Sequence, residues 1–373
     1  MELIALQLFL LSIGASFVQR TTGFGFGIFI MTMLLLCTGL GSVLALPMAG
    51  PICSRYGAKR TIYANGVLLA LALALVAANI NLWATAFMLV VFGMCTVQID
   101  VAANVNGVAL EEQFQKPMMS GFHGGYSLGT LLGAASMSLL LTMGIGVLPA
   151  ALVVLAGSLA YFFWGCQELL RKGELKADSP SEQATTPKHR LYIPPLALLV
   201  GIVCFVLYSS EGAVMSWSAV FVNQERGVDL RYAGFFYTAF AICMTVMRLS
   251  GNKLVKRFGA RRIVVYGSVL VAVGLLLVAF VPSLLVTIFG FALIGIGAAN
   301  IVPQLMSYAG HIKGMTVQNT ISVITALGYS GILLGPVVIG FCANRYGQPA
   351  TFAGIGIVVA LITGIIRFLY TRK

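Results

Sequence analysis

The sequence predicts an all-α membrane protein: twelve transmembrane helices in two pseudo-symmetric six-helix halves. Three observations carry that expectation. Of 373 residues, 59% are hydrophobic and only 9% are charged, and the mean hydropathy is +0.96. A soluble domain carries about 25% charged residues, so this chain cannot cover a globule with polar surface, and lipid must be its solvent. The apolar residues form twelve segments, at 2–18, 26–52, 61–79, 83–108, 120–143, 146–168, 193–222, 232–252, 263–281, 284–308, 318–343 and 350–370. A spanning helix needs about 20 such residues, and the alternation of a membrane β-barrel over strands of ~10 residues is missing. Finally, "SRYGAKR" at 54–60 returns as "KRFGARR" at 256–262, each time after the second segment of its half. The chain therefore reads as a duplicated unit.

The first segment is short, rising about 27 Å at 1.5 Å per residue against a hydrocarbon core of about 30 Å. It carries Glu2 where a cleavable signal would be basic, so it reads as a retained helix. The one long polar stretch, 169–192, is rich in Ser, Thr, Pro and charge and has little to bury. It is expected to be a cytoplasmic linker between an N-terminal half, 1–168, and a C-terminal half, 193–373. With the N-terminus placed in the cytoplasm, 19 of the 23 Lys and Arg fall on the cytoplasmic side. The exceptions are Arg20, Arg226, Arg231 and Arg345. This asymmetry predicts that both termini are cytoplasmic, in the inner membrane of the cell.

The net charge of +12 does not point to nucleic acid, because the cations lie in short loops between apolar runs. The seven cysteines are scattered and form no CxxC pair, which supports neither a zinc site nor a disulfide framework. No Walker motif is present, and "GFGFG" at 23–27 lies in an apolar run without the strand of a dinucleotide fold. No nucleophile–base pair stands out, so neither an enzyme nor a cofactor is expected. The expected partners are a small-molecule substrate, protons and the lipid bilayer, with the chain itself a monomer.

The repeated turn holds Arg55, Gly57, Lys59 and Arg60 in one copy and Arg257, Gly259, Arg261 and Arg262 in the other. A glycine permits the tight turn, and Arg55 suits the negative end of the preceding helix. Read from Gly50 to Arg60, the first copy resembles the signature loop of the major facilitator superfamily, Gly-x-Leu-x-Asp-Arg-x-Gly-Arg-Lys/Arg. The resemblance is nearest to the YbjJ-type inner-membrane branch, beside the fucose-permease-like porters, and runs from about residue 37 onward. It is carried also by "IDVAANVNGVALEEQ" (99–113), "SGFHGGYSLGTLLGA" (120–134), "YSSEGAVMSWSAVF" (208–221), "GIGAANIVPQ" (295–304) and "ALGYSGILLGPVVIGF" (326–341). It implies two six-helix bundles working by alternating access, with this loop latching the cytoplasmic side. The Asp of the latch is missing from both copies, where Ser54 and Lys256 stand, so the loop serves either gating or topology. Residues 16–30, "SFVQRTTGFGFGIFI", resemble instead the opening of the TauE/SafE exporters. Gln19 and Arg20 there are read either as an anion contact or as a solvated turn.

An ionisable group inside lipid is costly and marks a site by default. Asp100 lies deep in the 83–108 segment. Gly93, Val97, Asp100, Asn104, Gly107 and Glu111 share one helical face, which is read either as cavity lining or as interhelical bonding. The resemblance to fucose-permease-like proteins links an acid at this place to proton coupling. Glu111 and Glu112 are expected to face the loop or pair with Lys116.

Glu211 is the second deep acid, with Ser209, Ser210, Ser216, Ser218 and Trp217 around it. It is read either as a proton carrier or as the cap of a backbone break near Gly212. Asn300, Gln304 and Ser307 share a face, and Pro303 interrupts their helix and frees a carbonyl. His123 and Tyr126 open the 120–143 segment, and Arg248 is expected at a cytoplasmic helix end. The spacings Gly125/Gly129/Gly133 and Gly331/Gly335 predict close helix contacts.

These residues support a secondary transporter of a sugar, drug or organic acid. A TauE/SafE-like anion exporter and a non-transporting sensor or remnant stay open.

Overall fold

A computed structural model describes residues 24–78, 81–170 and 193–369. Its elements are α1 (Phe24–Tyr56), α2 (Ala58–Ala78), α3 (Leu82–Phe114), α4 (Met119–Thr142), α5 (Val147–Gly165), a 3₁₀ turn (Cys166–Glu168), α6 (Pro195–Arg226), α7 (Leu230–Phe258), α8 (Ala260–Phe280), α9 (Leu284–Ala298), α10 (Ile301–Ala309), α11 (Val317–Tyr346) and α12 (Gln348–Leu369). Ten helical spans among the described residues are long and apolar enough to cross a membrane, with α9 and α10 counted as one broken span. The 24-residue α4 is of membrane-spanning length as well. The expected first span, 2–18, and nearly all of the 169–192 linker lie outside the described residues, as do Gln19 and Arg20. Large apolar side chains face outward, among them Leu285, Phe341 and Leu361, which suits a lipid surround.

The described residues form two compact units. The first takes in those of Met1–Ala109, Tyr126–Arg190 and Met315–Ser322. Here α1 meets α3 closely enough that a Cβ on Gly41 or Gly93 would strike the Val90 or Thr38 carbonyl. Lys59 donates to the Gln167 carbonyl at 2.6 Å, tying the start of α2 to the 3₁₀ turn. Ser322 donates to the Leu46 carbonyl at 2.8 Å, tying the first turns of α11 to α1.

The second unit takes in those of Leu110–Gly125, Leu191–Gly314 and Val323–Lys373. In it α8 packs on α9 and α12, and α7 packs on α6 and α9. Glycines set the α8–α9 distance: a Cβ on Gly267 would sit 2.6 Å from the Gly297 carbonyl oxygen, and one on Gly274 would sit 2.6 Å from that of Gly290. An aromatic cluster closes the core where Phe352 of α12 meets Phe221 of α6 at 4.9 Å and Phe291 of α9 at 6.4 Å. Arg226 ends α6 by donating to the Val278 and Val281 carbonyls at 2.7 and 3.2 Å and to Thr287 Oγ1 at 3.2 Å.

The two cationic turns match in detail. Gly57 has φ 82° and Gly259 has φ 81°, a conformation that favours glycine. Each glycine N–H returns at 2.8 Å to the carbonyl four residues earlier, Cys53 and Val255 respectively. The Arg55 guanidinium lies 5.4 Å over the Tyr56 ring, and that of Arg257 lies 5.3 Å over Phe258. A third turn repeats the geometry at Gly347, with φ 85° and the wording Arg345-Tyr346-Gly347, between α11 and α12.

Candidate functional site

In the first unit Asp100 is half-buried and Asn104 is buried. The Asn104 amide donates to Asp100 Oδ1 at 3.2 Å and to the Asp100 carbonyl at 2.9 Å. One helical turn thus holds the acid and its amide as a local pair. On the same helix Gln98 is buried with its Oε1 unbonded among the described residues.

The second unit brings together far more. Glu211 of α6 and Arg248 of α7 are 1% and 4% exposed, with Arg248 Nη2 at 3.8 Å from Glu211 Oε2. Neither carboxylate oxygen has a hydrogen-bond partner among the described residues. The expectation for Arg248 is corrected here: it lies well inside α7, ten residues before the helix ends at Phe258. The backbone break considered near Gly212 is absent, since α6 runs unbroken from Pro195 to Arg226.

The break in the α9–α10 span supplies one acceptor for Arg248. Pro303 has no N–H to give the carbonyl four residues earlier, that of Ala299. Arg248 Nε donates to this carbonyl at 3.3 Å. The helix itself stops at Ala298 and restarts at Ile301, with Asn300 at φ −112° and ψ 2° between them. The Asn300 side chain crosses to α7 and donates to the Met247 carbonyl at 2.9 Å. Gly251 makes room for it, because a Cβ there would collide with Asn300 Oδ1 and the Ser120 side chain.

The other end of α10 binds the segment that leads into α4. Gln304 Nε2 donates to Ser120 Oγ at 3.1 Å, and the Ser307 hydroxyl donates to the Glu111 carboxylate. Glu111 accepts as well from the Met118 and Met119 N–H groups at 2.6 and 2.8 Å, which caps the start of α4 with a negative charge. Of the two expectations for Glu111, facing the loop or pairing with Lys116, the bonds to the Met118 and Met119 N–H groups agree with the first. The Gly121 N–H donates to Asn252 Oδ1 at 2.9 Å, fixing the same turn to α7. His123, half-buried, lies near enough to feel the Arg248 charge.

The remaining expectations divide. Trp217 is half-buried with its Nε1 unbonded among the described residues, and its ring lies beside Gly340. Ser218 is buried with an unbonded hydroxyl. Tyr126 is 46% exposed and belongs to the first unit. Gly331 and Gly335 do meet α6, at Phe205 and Ser209. Gly125 and Gly129 do not bring helices together, since nothing among the described residues lies within 4 Å of a Cβ built there. The sequence reading missed the bonding of Arg248, Glu111, Ser120, Gly251 and Asn252. One signal was present: an arginine placed ten residues inside a helix needs a buried partner, and Pro303 frees the carbonyl that takes its Nε.

The described residues form a helical membrane protein with a repeated glycine turn and buried charges in its second unit. The sequence pattern of the Major Facilitator Superfamily matches residues 3–314 and, overlapping, 200–373. The chain belongs to that superfamily and is a secondary active transporter. The match begins well before residue 37 and takes in 16–36, the stretch that resembled the TauE/SafE exporters. An MFS-type transporter of Yersinia pestis is 34% identical over 337 residues, covering 90% of this chain and 85% of its own. The membrane protein MosC of Rhizobium meliloti is 28% identical, covering 88% of this chain and 79% of its own. Among solved structures, the Escherichia coli fucose:proton symporter FucP in its outward conformation has a TM-score of 0.75 at 18% identity, covering 97% of both chains. The human organic anion transporter MFSD10 has a TM-score of 0.72 at 15% identity, covering 98% of this chain and 94% of its own.

Proposed function

We propose that this protein moves a small polar solute across the cytoplasmic membrane by alternating access coupled to protons, with Asp100 and Glu211 as the proton-bearing groups. The observation that carries this reading is the Glu211–Arg248 pair. A carboxylate 1% exposed, with both oxygens unbonded among the described residues, is costly to keep charged in the membrane. Arg248, at 3.8 Å, makes two states available: ion pair, or neutral acid beside an arginine whose Nε holds the Ala299 carbonyl. That is the switch a proton-driven carrier needs. The fold likeness to a fucose:proton symporter supports the coupling ion, and the solute is a sugar, a drug or an organic acid. In this reading the halves 1–168 and 193–373 rock against each other, joined by the cytoplasmic linker 169–192. The protein acts as a monomer with both termini inside.

The test uses a ligand selected by thermal shift from sugars, organic anions and cationic drugs, since a ligand of the folded state raises its apparent stability. Asp100→Asn and Glu211→Gln keep shape and remove the titratable charge. Each variant is expected to retain exchange of labelled for unlabelled ligand and to lose uphill uptake driven by a pH gradient at least about tenfold, on the scale of 1.4 kcal/mol. Uphill uptake at the unmodified level in both variants contradicts the assignment.

A further inference from the structure

We propose that the second cationic turn, 253–262, binds the phosphate headgroup of an anionic phospholipid whose acyl chains lie along the outer face of α8. Five cations crowd ten residues there: Lys253, Lys256, Arg257, Arg261 and Arg262. All five are exposed, and none forms an ion pair among the described residues. The sequence around them offers no acid. Twelve Lys and Arg follow Asp229, and not one Asp or Glu does. Asp229 itself precedes the far end of α7, and the 29 residues of that helix span about 40 Å. Like charges at this density repel one another, and an anion from outside the chain relieves the repulsion. A cluster of about four to eight basic residues beside a membrane helix is the usual footprint of anionic lipid.

A cation cluster alone would take any anion. What selects a lipid is the surface that continues from it. Arg262, Tyr266, Val269 and Val273 fall at i, i+4, i+7 and i+11, on one face of α8. The three after the arginine are 64%, 43% and 41% exposed. Val264, Val271, Leu275 and Val278, on the opposite face, are buried. From Arg262 to Val273 the helix rises about 16 Å, close to half of a hydrocarbon core about 30 Å thick. One stripe thus carries a cation at its end and apolar surface to the depth of one leaflet. Gly259, at φ 81°, is the single residue between α7 and α8, so the cations of the two helix ends sit side by side. Guanidinium groups match phosphate oxygens in pairs, and the lysines add point charge. The sister turns are poorer in charge. The first holds Arg55, Lys59 and Arg60, and its Lys59 is taken by the Gln167 carbonyl at 2.6 Å. The third has the same φ at Gly347, but Gln348 and Pro349 follow its glycine where Ala260 and Arg261 follow Gly259.

The measurement is binding of phosphatidylglycerol to the purified full-length protein in neutral detergent micelles, counted by native mass spectrometry. Phosphatidylcholine with the same acyl chains is the comparison. Phosphatidylglycerol is expected to bind saturably and at least about tenfold tighter, since each basic residue near an anionic headgroup contributes about fivefold. On the same scale Arg261→Gln with Arg262→Gln should weaken phosphatidylglycerol at least about tenfold and leave phosphatidylcholine unchanged. Lys313→Gln with Arg345→Gln removes the same charge outside the turn and should change binding less than about twofold, because distant exposed charges are screened. If the first pair does not fold, Lys253→Gln with Lys256→Gln must give the loss instead. Equal binding of the two lipids overturns the site. So does undiminished binding in a cationic-turn variant, or an equal loss in the Lys313/Arg345 control. Inorganic phosphate or glycerol phosphate binding as tightly as the lipid marks a site for a soluble anion and overturns the lipid assignment. Phosphatidylglycerol binding that appears only after Glu174, Asp178 and Glu182 are changed to Gln assigns the turn to the acidic linker, and overturns it as well. Binding needs neither substrate nor a proton gradient, so the site stands or falls apart from the transport cycle.

Discussion

Arg248→Met is expected to be among the most damaging single substitutions in this protein, costing about 3–5 kcal/mol of stability. The cause is what it leaves behind. Glu211 is 1% exposed, its oxygens accept no hydrogen bond among the described residues, and Arg248 is the cation beside it. Removing the guanidinium strands a carboxylate in the core of the second unit and leaves the Ala299 carbonyl, which Pro303 cannot serve, without its donor. The loss should not be additive with loss of the acid. Replacing both partners with apolar residues of similar size, Glu211→Leu with Arg248→Met, removes the stranded charge and should restore most of the stability, as buried pairs generally allow. Equilibrium unfolding of the four proteins in mixed micelles reads this as a double-mutant cycle. A single variant as stable as the parent would show that the pair is solvated and would remove the physical basis for its role.

Gly297→Leu is the second large effect. The α8–α9 contact is backbone on backbone: a Cβ on Gly297 would strike the Gly267 carbonyl, and one on Gly290 would sit 3.0 Å from the Gly274 carbonyl oxygen. A helix cannot give way at one residue, so a side chain must push the pair apart over several turns. Overpacking of this kind costs about 1–3 kcal/mol and occasionally more, and a leucine against backbone lies at the upper end. Gly297→Ala should cost less but still destabilise. Gly364→Leu on α12 is the control, since nothing lies within 4 Å of a Cβ there, and it should be close to neutral. The same unfolding measurement compares them. Equal losses at 297 and 364 would mean that the α8–α9 register is wrong.

Some of this was legible in the sequence. The spans among the described residues were, because a chain with 59% hydrophobic residues has few other ways to fold. The glycine turns were too, because Gly57 and Gly259 sit between the same residue types and only glycine accepts their φ readily. Pro303 announced a break and a free carbonyl, although the helix stops earlier, at Ala298. What could not be read was pairing across helices. Glu211 and Arg248 sit on different helices, and helical periodicity gives the face of a residue but not the neighbour it meets. Glu111 was readable as an acid facing the loop, where it takes the Met118 and Met119 N–H groups, but its third donor, the Ser307 hydroxyl of α10, was not. Spacing also misled: Gly125 and Gly129 have the interval of a close contact and make none among the described residues, whereas Gly267 and Gly297 have no such partners in their own stretches and bring two backbones together.

Protons are proposed to drive solute movement through this fold. The direct measurement is uptake of the selected ligand by the unmodified protein in sealed vesicles carrying only an imposed pH gradient. Proton-driven transport gives accumulation above the external concentration, collapse to equilibrium when a protonophore is added, and a proton flux in step with the ligand. Accumulation that survives the protonophore, or ligand entry that never exceeds equilibrium under any pH gradient, would contradict it.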